Sequence, residues 1–364
     1  MIPLSEPFFS GNEWAYVKAC LDSGWVSSAG KEISAFENAI ATFTGSGHAV
    51  ATVNGTAALH LALKVSGASQ GDRVIIPNLT FVATANAVSY TGASPVLMDV
   101  DPHTWQLDAG LLEEWLDKQN QPLPRALILT HVLGNVGEVE KIAEICLKYG
   151  MAFIEDAAEA LGSVKNEKHA GTFGQTGILS FNGNKIITTG SGGMILTQDE
   201  TLAQKLRHLS TQAKADTEEY FHDEVGYNYR LPNLLAALGI AQLEQLPRFL
   251  KKKREDAQLY HDLLLTASQV TGFQETLPGV NPNFWLFTAR MKERDKVRKN
   301  LAAHGIQSRP LWVPMNLLPA FQHCEYITRS DVAGRLYSEC LSLPGSVSLS
   351  ESQIREICRI ISAT

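Results

Sequence analysis

VIIPNLTFVATANAVSYTGASPVLMDV, residues 74–100, holds the pattern that decides the fold. An apolar, β-branched run (VIIP) gives way to a polar turn, then to an Ala-rich segment of helical period, then to a second apolar run (PVLMDV). A connection of that length suits a right-handed crossover between parallel strands. The same alternation recurs on both sides, with runs AVATV (49–53), ALILTHV (126–132), AFIEDA (152–157), ILSF (178–181) and MILT (194–197). Helical stretches begin near Thr56, Thr80, Asp108, Val136 and Leu202. Near-continuous apolar runs belong to strands covered on both faces. The expectation is an α/β fold with a mostly parallel seven-stranded sheet flanked by helices.

From Leu231 to about Leu265 the pattern is one long helix, interrupted only by Pro232 and Pro247. A second unit follows, with a strand-like FWLFTARM (284–291), a helix over Arg294–His304, a strand-like IQSRPLW (306–312) and helices over Val332–Leu341 and Glu351–Ile361. A division into 1–248, a large domain with an N-terminal arm, and 249–364, a smaller α+β domain, is expected.

With 364 residues, 45% hydrophobic and 19% charged, the chain can build such cores without staples. A net charge of -7 disfavours a nucleic-acid partner, which rewards clustered cations. The run Lys251–Arg254 lies in helical pattern and reads as a solvated face. The five cysteines show neither a CxxC pair nor metal-ligand spacing, so a reduced, cytoplasmic setting and no metal are expected. No stretch approaches the ~18 apolar residues of a membrane span, and MIPLSEPFFSGNEW lacks the basic start and apolar core of a signal peptide.

Ligands of open α/β sheets settle outside the carboxyl ends of the strands, which singles out four places. In VNGTAALHLAL (53–63), Gly55 permits close backbone approach, and Thr56 and Ala57 offer amides at a helix start, a seat for phosphate; Thr56 reads equally as an ordinary N-cap. In FIEDAAEALGS (153–163), Asp156 ends an apolar strand, so its carboxylate needs a cation such as a pyridinium nitrogen, or else serves as a helix cap. In ILSFNGNKIITTGSGGMILT (178–197), Lys185 sits in an apolar frame that favours a neutral, nucleophilic amine, and the glycines read as a hairpin turn. In LTFVATANAV (79–88), Phe81 reads as a plate for an aromatic ring or as a core residue.

Together these motifs resemble the DegT/DnrJ/EryC/StrS sugar aminotransferases, fold-type I pyridoxal-phosphate enzymes. The likeness runs from SGWVSSAGKEISAFE (23–37) through NGTAALHLAL (54–63), IEDAAEALGS (154–163), SFNGNKIITTG (180–190) and GYNYRLPNLLAALGIAQLEQL (226–246) to RPLW (309–312). The resemblance implies pyridoxal 5'-phosphate held as a Schiff base on Lys185, Asp156 on the pyridine nitrogen, Phe81 on the ring and Glu159 near its face. It implies a phosphate site from Gly55, Thr56, Ala57 and Ser180, completed by Asn228 of a neighbouring chain in a homodimer with shared sites. Trp25, Arg230 and Asn316 are then the substrate contacts, Asn316 standing where relatives commonly have histidine.

The resemblance also implies L-glutamate as donor and a nucleotide sugar as acceptor, with Lys185 moving the proton in both half reactions. SGWVSSAGK (23–31), SFNGNKIITTGSGG (180–193) and VGYNYRLPN (225–233) look most like the branch that aminates C4 of UDP-4-keto-6-deoxy-N-acetylhexosamines; the alternative is GDP-4-keto-6-deoxymannose. Two rivals remain: a dehydratase of the same family, which has histidine in place of Lys185, and a non-catalytic nucleotide-sugar scaffold.

Overall fold

A computed structural model describes residues 1–216 and 218–364. The main sheet is built from β1 (His48–Thr52), β2 (Arg73–Pro77), β3 (Ser94–Met98), β4 (Ala126–Thr130), β5 (Ala152–Asp156), β6 (Thr176–Ser180), β7 (Gly193–Thr197) and β8 (Tyr326–Ile327). Their order is β1-β7-β6-β5-β4-β2-β3-β8. All neighbours are parallel except those of β7, which runs antiparallel to both β1 and β6. The reason is local. The stretch 181–192 between β6 and β7 contains no crossover helix to return the chain to the starting edge, so the strands pair as a hairpin.

The eighth strand corrects the expected seven. Tyr326 and Ile327 lie beside Leu97 and Met98 of β3, a pairing of two residues that carries no strand pattern of its own. A second correction concerns Cys340 and Leu341, expected in the helix from Val332. That helix stops at Glu339, and Cys340–Ser342 forms an inner strand of the C-terminal sheet, between Thr288–Met291 and Arg309–Pro310. Both residues are fully buried, and the backbone groups of an inner strand are paired on both sides. The strand expected over 284–291 shortens to Thr288–Met291.

Helices cover both faces of the main sheet: α2 (Lys31–Thr44), α5 (Ala109–Asp117) and α6 (Val139–Lys148) against one, α3 (Gly55–Val65), α4 (Val82–Tyr90) and α7 (Glu200–Ser210) against the other. Strand alternation sorts the core accordingly. Leu127, Leu129 and Phe153 enter the first layer, and Ile128, Ile154 and Ile178 the second. Each such side chain contributes about 1.5–3 kcal/mol on burial. Helix starts are set by short polar caps: Asn54 accepts from the Ala57 amide, Asp108 from Leu111 and Asp199 from Leu202.

The long helix α8 (Asn233–Leu264) runs unbroken past residue 248, with Pro247 in its interior. A separate apolar cluster around Tyr260, Leu301, Leu341 and Ile357 lies in the C-terminal part. Another joins Leu79, Trp105, Val132 and Leu133 to Trp285, Leu286 and Leu311, so the two parts share an apolar seam. The N-terminal arm crosses that seam: the Gly345 amide donates to Leu4, the Glu6 amide to Ser346 Oγ, and Ser5 Oγ to the Asn184 carbonyl. Among the described residues, no helix is long and apolar enough to cross a membrane.

Candidate active site

Parallel strands end together, so the residues just beyond their carboxyl ends converge on one cavity. Gly55 and Thr56 arrive after β1, Phe81 after β2, Thr130 and Asp156 at the ends of β4 and β5, and Ser180 at the end of β6. Lys185 comes from the β6–β7 connection, and Trp285 and Trp312 close the cavity from the C-terminal part. Two wider surface hollows, one beside Arg125 and Cys146 and one beside Lys64 and Tyr227, contain no buried carboxylate pair.

Lys185 Nζ stands 3.4 Å from Glu159 Oε1 and 4.1 Å from the centre of the Trp285 ring. Its side chain is 13% exposed. The frame is therefore not purely apolar, as the flanking isoleucines suggested, but a carboxylate and an aromatic face. Glu159 is buried, and burial pushes its carboxyl up from the usual range; Lys185 and the Leu133 amide pull it down, and Asp156 pushes it up. The Leu133 amide reaches Glu159 Oε2 at 2.9 Å. It does so from a left-handed backbone (φ 61°), a conformation costly for a residue with a Cβ and held here by Leu133's burial.

Asp156 is buried at the end of β5, and burial raises its carboxyl above the ordinary value. Opposing that, Thr84 Oγ1 donates to Oδ2 at 2.7 Å, the Ala158 amide to Oδ1 at 3.2 Å, and Lys185 and His131 add favourable charge. No helix follows β5, so the capping alternative for Asp156 is excluded. Thr84 itself is fully buried and bonded to Thr80, which bonds to Thr130, each at 3.0 Å.

The helix start at α3 differs from expectation in one residue. Asn54, not Thr56, is the cap, and its side chain takes the Ala57 amide at 2.8 Å. Ala57 is buried and outside the cavity lining, so Gly55 and Thr56 supply the amides without intrahelical acceptors. A Cβ on Gly55 would sit 3.2 Å from Ser180 Cβ, so glycine keeps the space between these two residues open. Phe81, 53% exposed at the rim, is no core phenylalanine.

Other expected contacts lie elsewhere in the single chain. Asn228 is exposed and pairs by backbone with Thr211. The Arg230 guanidinium is engaged by Glu37 and the Ala51 carbonyl. Trp25, 59% exposed, borders a separate hollow with Gly30 and Lys31. Asn316 is locked to the fully buried Asn78, its amide N–H and side-chain oxygen both bonded there, and does not line the cavity. Conversely, the sequence reading missed Thr84, Trp285 and Trp312 as site residues. Their available signals were Thr84 one turn beyond Phe81 and two tryptophans inside strand-like runs.

A buried acid at one end, a lysine at the other, an aromatic plate and a small-residue amide seat together fit a flat, phosphorylated heterocycle. A family model for the DegT/DnrJ/EryC1/StrS aminotransferases matches residues 9–362. The chain is 39% identical to a GDP-perosamine synthase of Escherichia coli O157:H7, over 99% of this chain and 97% of that one. It is 40% identical to a GDP-perosamine synthase of Caulobacter vibrioides, over 98% and 96%. The crystal structure of the aminotransferase TlmJ from Streptoalloteichus hindustanus superposes with a TM-score of 0.93 at 30% identity, covering 100% of this chain and 98% of that one.

Proposed function

The chain belongs to the DegT/DnrJ/EryC1/StrS aminotransferase family and is a pyridoxal-phosphate-dependent sugar aminotransferase, and on that premise we propose amino transfer from L-glutamate to C4 of GDP-4-keto-6-deoxymannose. The observation that carries the chemistry is Lys185 Nζ beside Glu159, in the cavity that Asp156 floors. The guanosine reading is supported by the two relatives named GDP-perosamine synthase, matched over nearly their whole length. It displaces the UDP-4-keto-6-deoxy-N-acetylhexosamine reading drawn from short phrases.

Bound pyridoxal phosphate supplies an aldehyde that takes up amino groups and a ring that withdraws electrons from the neighbouring carbon. Asp156 would accept the ring N–H, its charge supported by Thr84 and Ala158. Gly55, Thr56 and Ser180 would hold the phosphate, and Phe81, at the rim, would cover the ring. Lys185 carries the proton at Nζ in both half reactions, with Glu159 as the carboxylate that orients it. Asn228 is assigned to the site of a second copy in a homodimer, Trp25 is assigned to the substrate, and the protein is assigned to the cytoplasm. Residues 1–248 form the cofactor-binding domain and 249–364 the smaller one.

The test is a panel of GDP-, UDP- and deoxythymidine-diphosphate ketosugars, assayed for glutamate-dependent amination. GDP-4-keto-6-deoxymannose should give the highest kcat/KM; a tenfold preference for a UDP ketosugar would return the substrate to the other branch. Lys185→Ala should lose turnover with fold and visible-region silence as controls, and full activity in that variant would remove the lysine from the mechanism.

A further inference from the structure

The strand pattern of the first 200 residues builds most of the cavity, yet an aromatic ring that lies against Lys185 comes from a hundred residues further on. Trp285 makes three separate contacts. Its ring face lies 4.1 Å from Lys185 Nζ. Its indole Nε1–H donates to the Asn184 carbonyl at 2.7 Å, the peptide group that leads into Lys185. Its own amide donates to Asn283 Oδ1 at 2.8 Å.

Asn283 extends the arrangement to the other side of the site. It is fully buried, and its Nδ2 donates to the carbonyls of Glu159 and Leu161 at 2.8 and 2.9 Å. A Cβ at Gly134 would fall 1.9 Å from Asn283 Oδ1, so that glycine leaves room for the amide. One tripeptide of the C-terminal part, Asn283–Phe284–Trp285, thereby fixes the backbone on both sides of the Lys185–Glu159 pair. Ser5 of the N-terminal arm adds a second donor to the Asn184 carbonyl, at 2.9 Å.

We propose that Trp285 is a positioning residue for Lys185: with Asn283 behind it, it holds the lysine's peptide and covers its amine, so that the C-terminal part aligns the group that moves the proton. This rests on the assignment of Lys185 as the cofactor lysine. An aromatic face attracts the ammonium, and the N–H···O=C bond to the Asn184 carbonyl restricts the lysine's peptide whether or not Nζ is protonated, so the reach of Nζ is limited in both states. Because the same lysine serves both half reactions, a defect at Trp285 slows both alike. Trp312, whose ring runs parallel to Trp285 at 6.4 Å, lines the same cavity but makes neither the ring contact with Lys185 Nζ nor the bond to the Asn184 carbonyl.

The experiment uses Trp285→Phe, which keeps a ring and removes the N–H, and Ser5→Ala, which removes the second donor from an exposed arm. Single-turnover absorbance follows the glutamate half reaction and the ketosugar half reaction separately. A third measurement follows capture of pyridoxal phosphate by the apoprotein, with borohydride trapping and peptide mass mapping to locate the modified lysine. Trp285→Phe should slow both half reactions by the same factor, about tenfold, and slow capture, with KM for the sugar unchanged. Ser5→Ala should show the same equal slowing to a smaller degree, two- to threefold. Slowing confined to the sugar half reaction, or a raised sugar KM, would overturn the proposal and make Trp285 a substrate wall. Unchanged rates in both variants would also overturn it. Trapping at a lysine other than 185 would instead overturn the lysine assignment, whatever the rates of the variants.

Discussion

Replacing Thr84 by valine tests how the carboxylate for the ring nitrogen stays charged. Thr84 donates its only hydroxyl proton to Asp156, so its oxygen must accept from Thr80, and Thr80 in turn from Thr130. The three buried hydroxyls therefore direct their protons, one after another, toward Asp156. Valine keeps the volume and removes the donor. A hydrogen bond to a charged group contributes about 1.5–3 kcal/mol, which is roughly one to two pKa units. Burial already pushes the Asp156 carboxyl up, and losing the donor pushes it further. Cofactor binding that requires the ionised form is present above that pKa and lost as pH falls through it, so the loss begins about one to two pH units higher in the variant. The affinity deficit of the variant grows as pH falls through the window in which only the variant is protonated, and reaches its full value of about 10- to 100-fold where Asp156 is protonated in both. Thr80 also loses the Thr84 oxygen as acceptor and must turn its proton to Thr130 or to the Phe81 carbonyl at 3.5 Å, costing up to about 1 kcal/mol of stability. The assay is titration of apoprotein with pyridoxal phosphate, followed by visible absorbance from acid to alkaline pH, beside urea unfolding. Thr84→Ser should retain affinity. Equal affinity of Thr84→Val and the parent at every pH would refute the reasoning.

Gly193→Ala places a Cβ 2.5 Å from the Asn54 carbonyl carbon and 2.7 Å from the Gly55 nitrogen, so the start of α3 must shift; cofactor affinity should fall at least tenfold in the same titration. Arg230→Ala leaves the buried Glu37 carboxylate without its nearest cation, and urea unfolding should show a loss of about 3 kcal/mol with sugar KM unchanged. A raised KM at unchanged stability would instead return Arg230 to the substrate. His169 is buried as the neutral ring, accepting the Gly162 amide at Nε2, and burial lowers its pKa to about 4. The unfolded ring takes a proton near its ordinary value, so stability is complete above that value and declines as pH falls toward about 4, by up to about 3 kcal/mol. Unfolding in urea between pH 7 and pH 5 should show part of this decline, and His169→Gln should flatten it.

Near-continuous apolar runs and the lengths between them determined the parallel sheet from sequence, because burial on both faces and crossover length are local properties of the chain. That Gly55, Phe81, Asp156 and Ser180 line one cavity was legible for a related reason: each stands at or shortly after the end of an apolar run, and parallel strands stop at the same edge of the sheet, with Lys185 brought in by the connection that follows β6. The hairpin of β6 and β7 was legible in the glycine turn between them, but the pairing of β7 with β1 and the cap at Asn54 needed coordinates, since both depend on which donor meets which acceptor. Strand Cys340–Ser342 and the edge pair Tyr326–Ile327 were hidden because three residues and two residues are too few to set a period.

What only tertiary structure decided is which distant groups surround the lysine. Trp285 and Asn283 reach Lys185 and Glu159 across about a hundred residues of chain, through an apolar seam that local periodicity does not encode. Arg230 and Asn316 looked available in sequence, yet the fold engages one with Glu37 and the other with Asn78. A residue's type and its place along the chain fix which strand end it occupies; its partners across space follow from packing between elements, and those partners set the charge and orientation of the reacting groups.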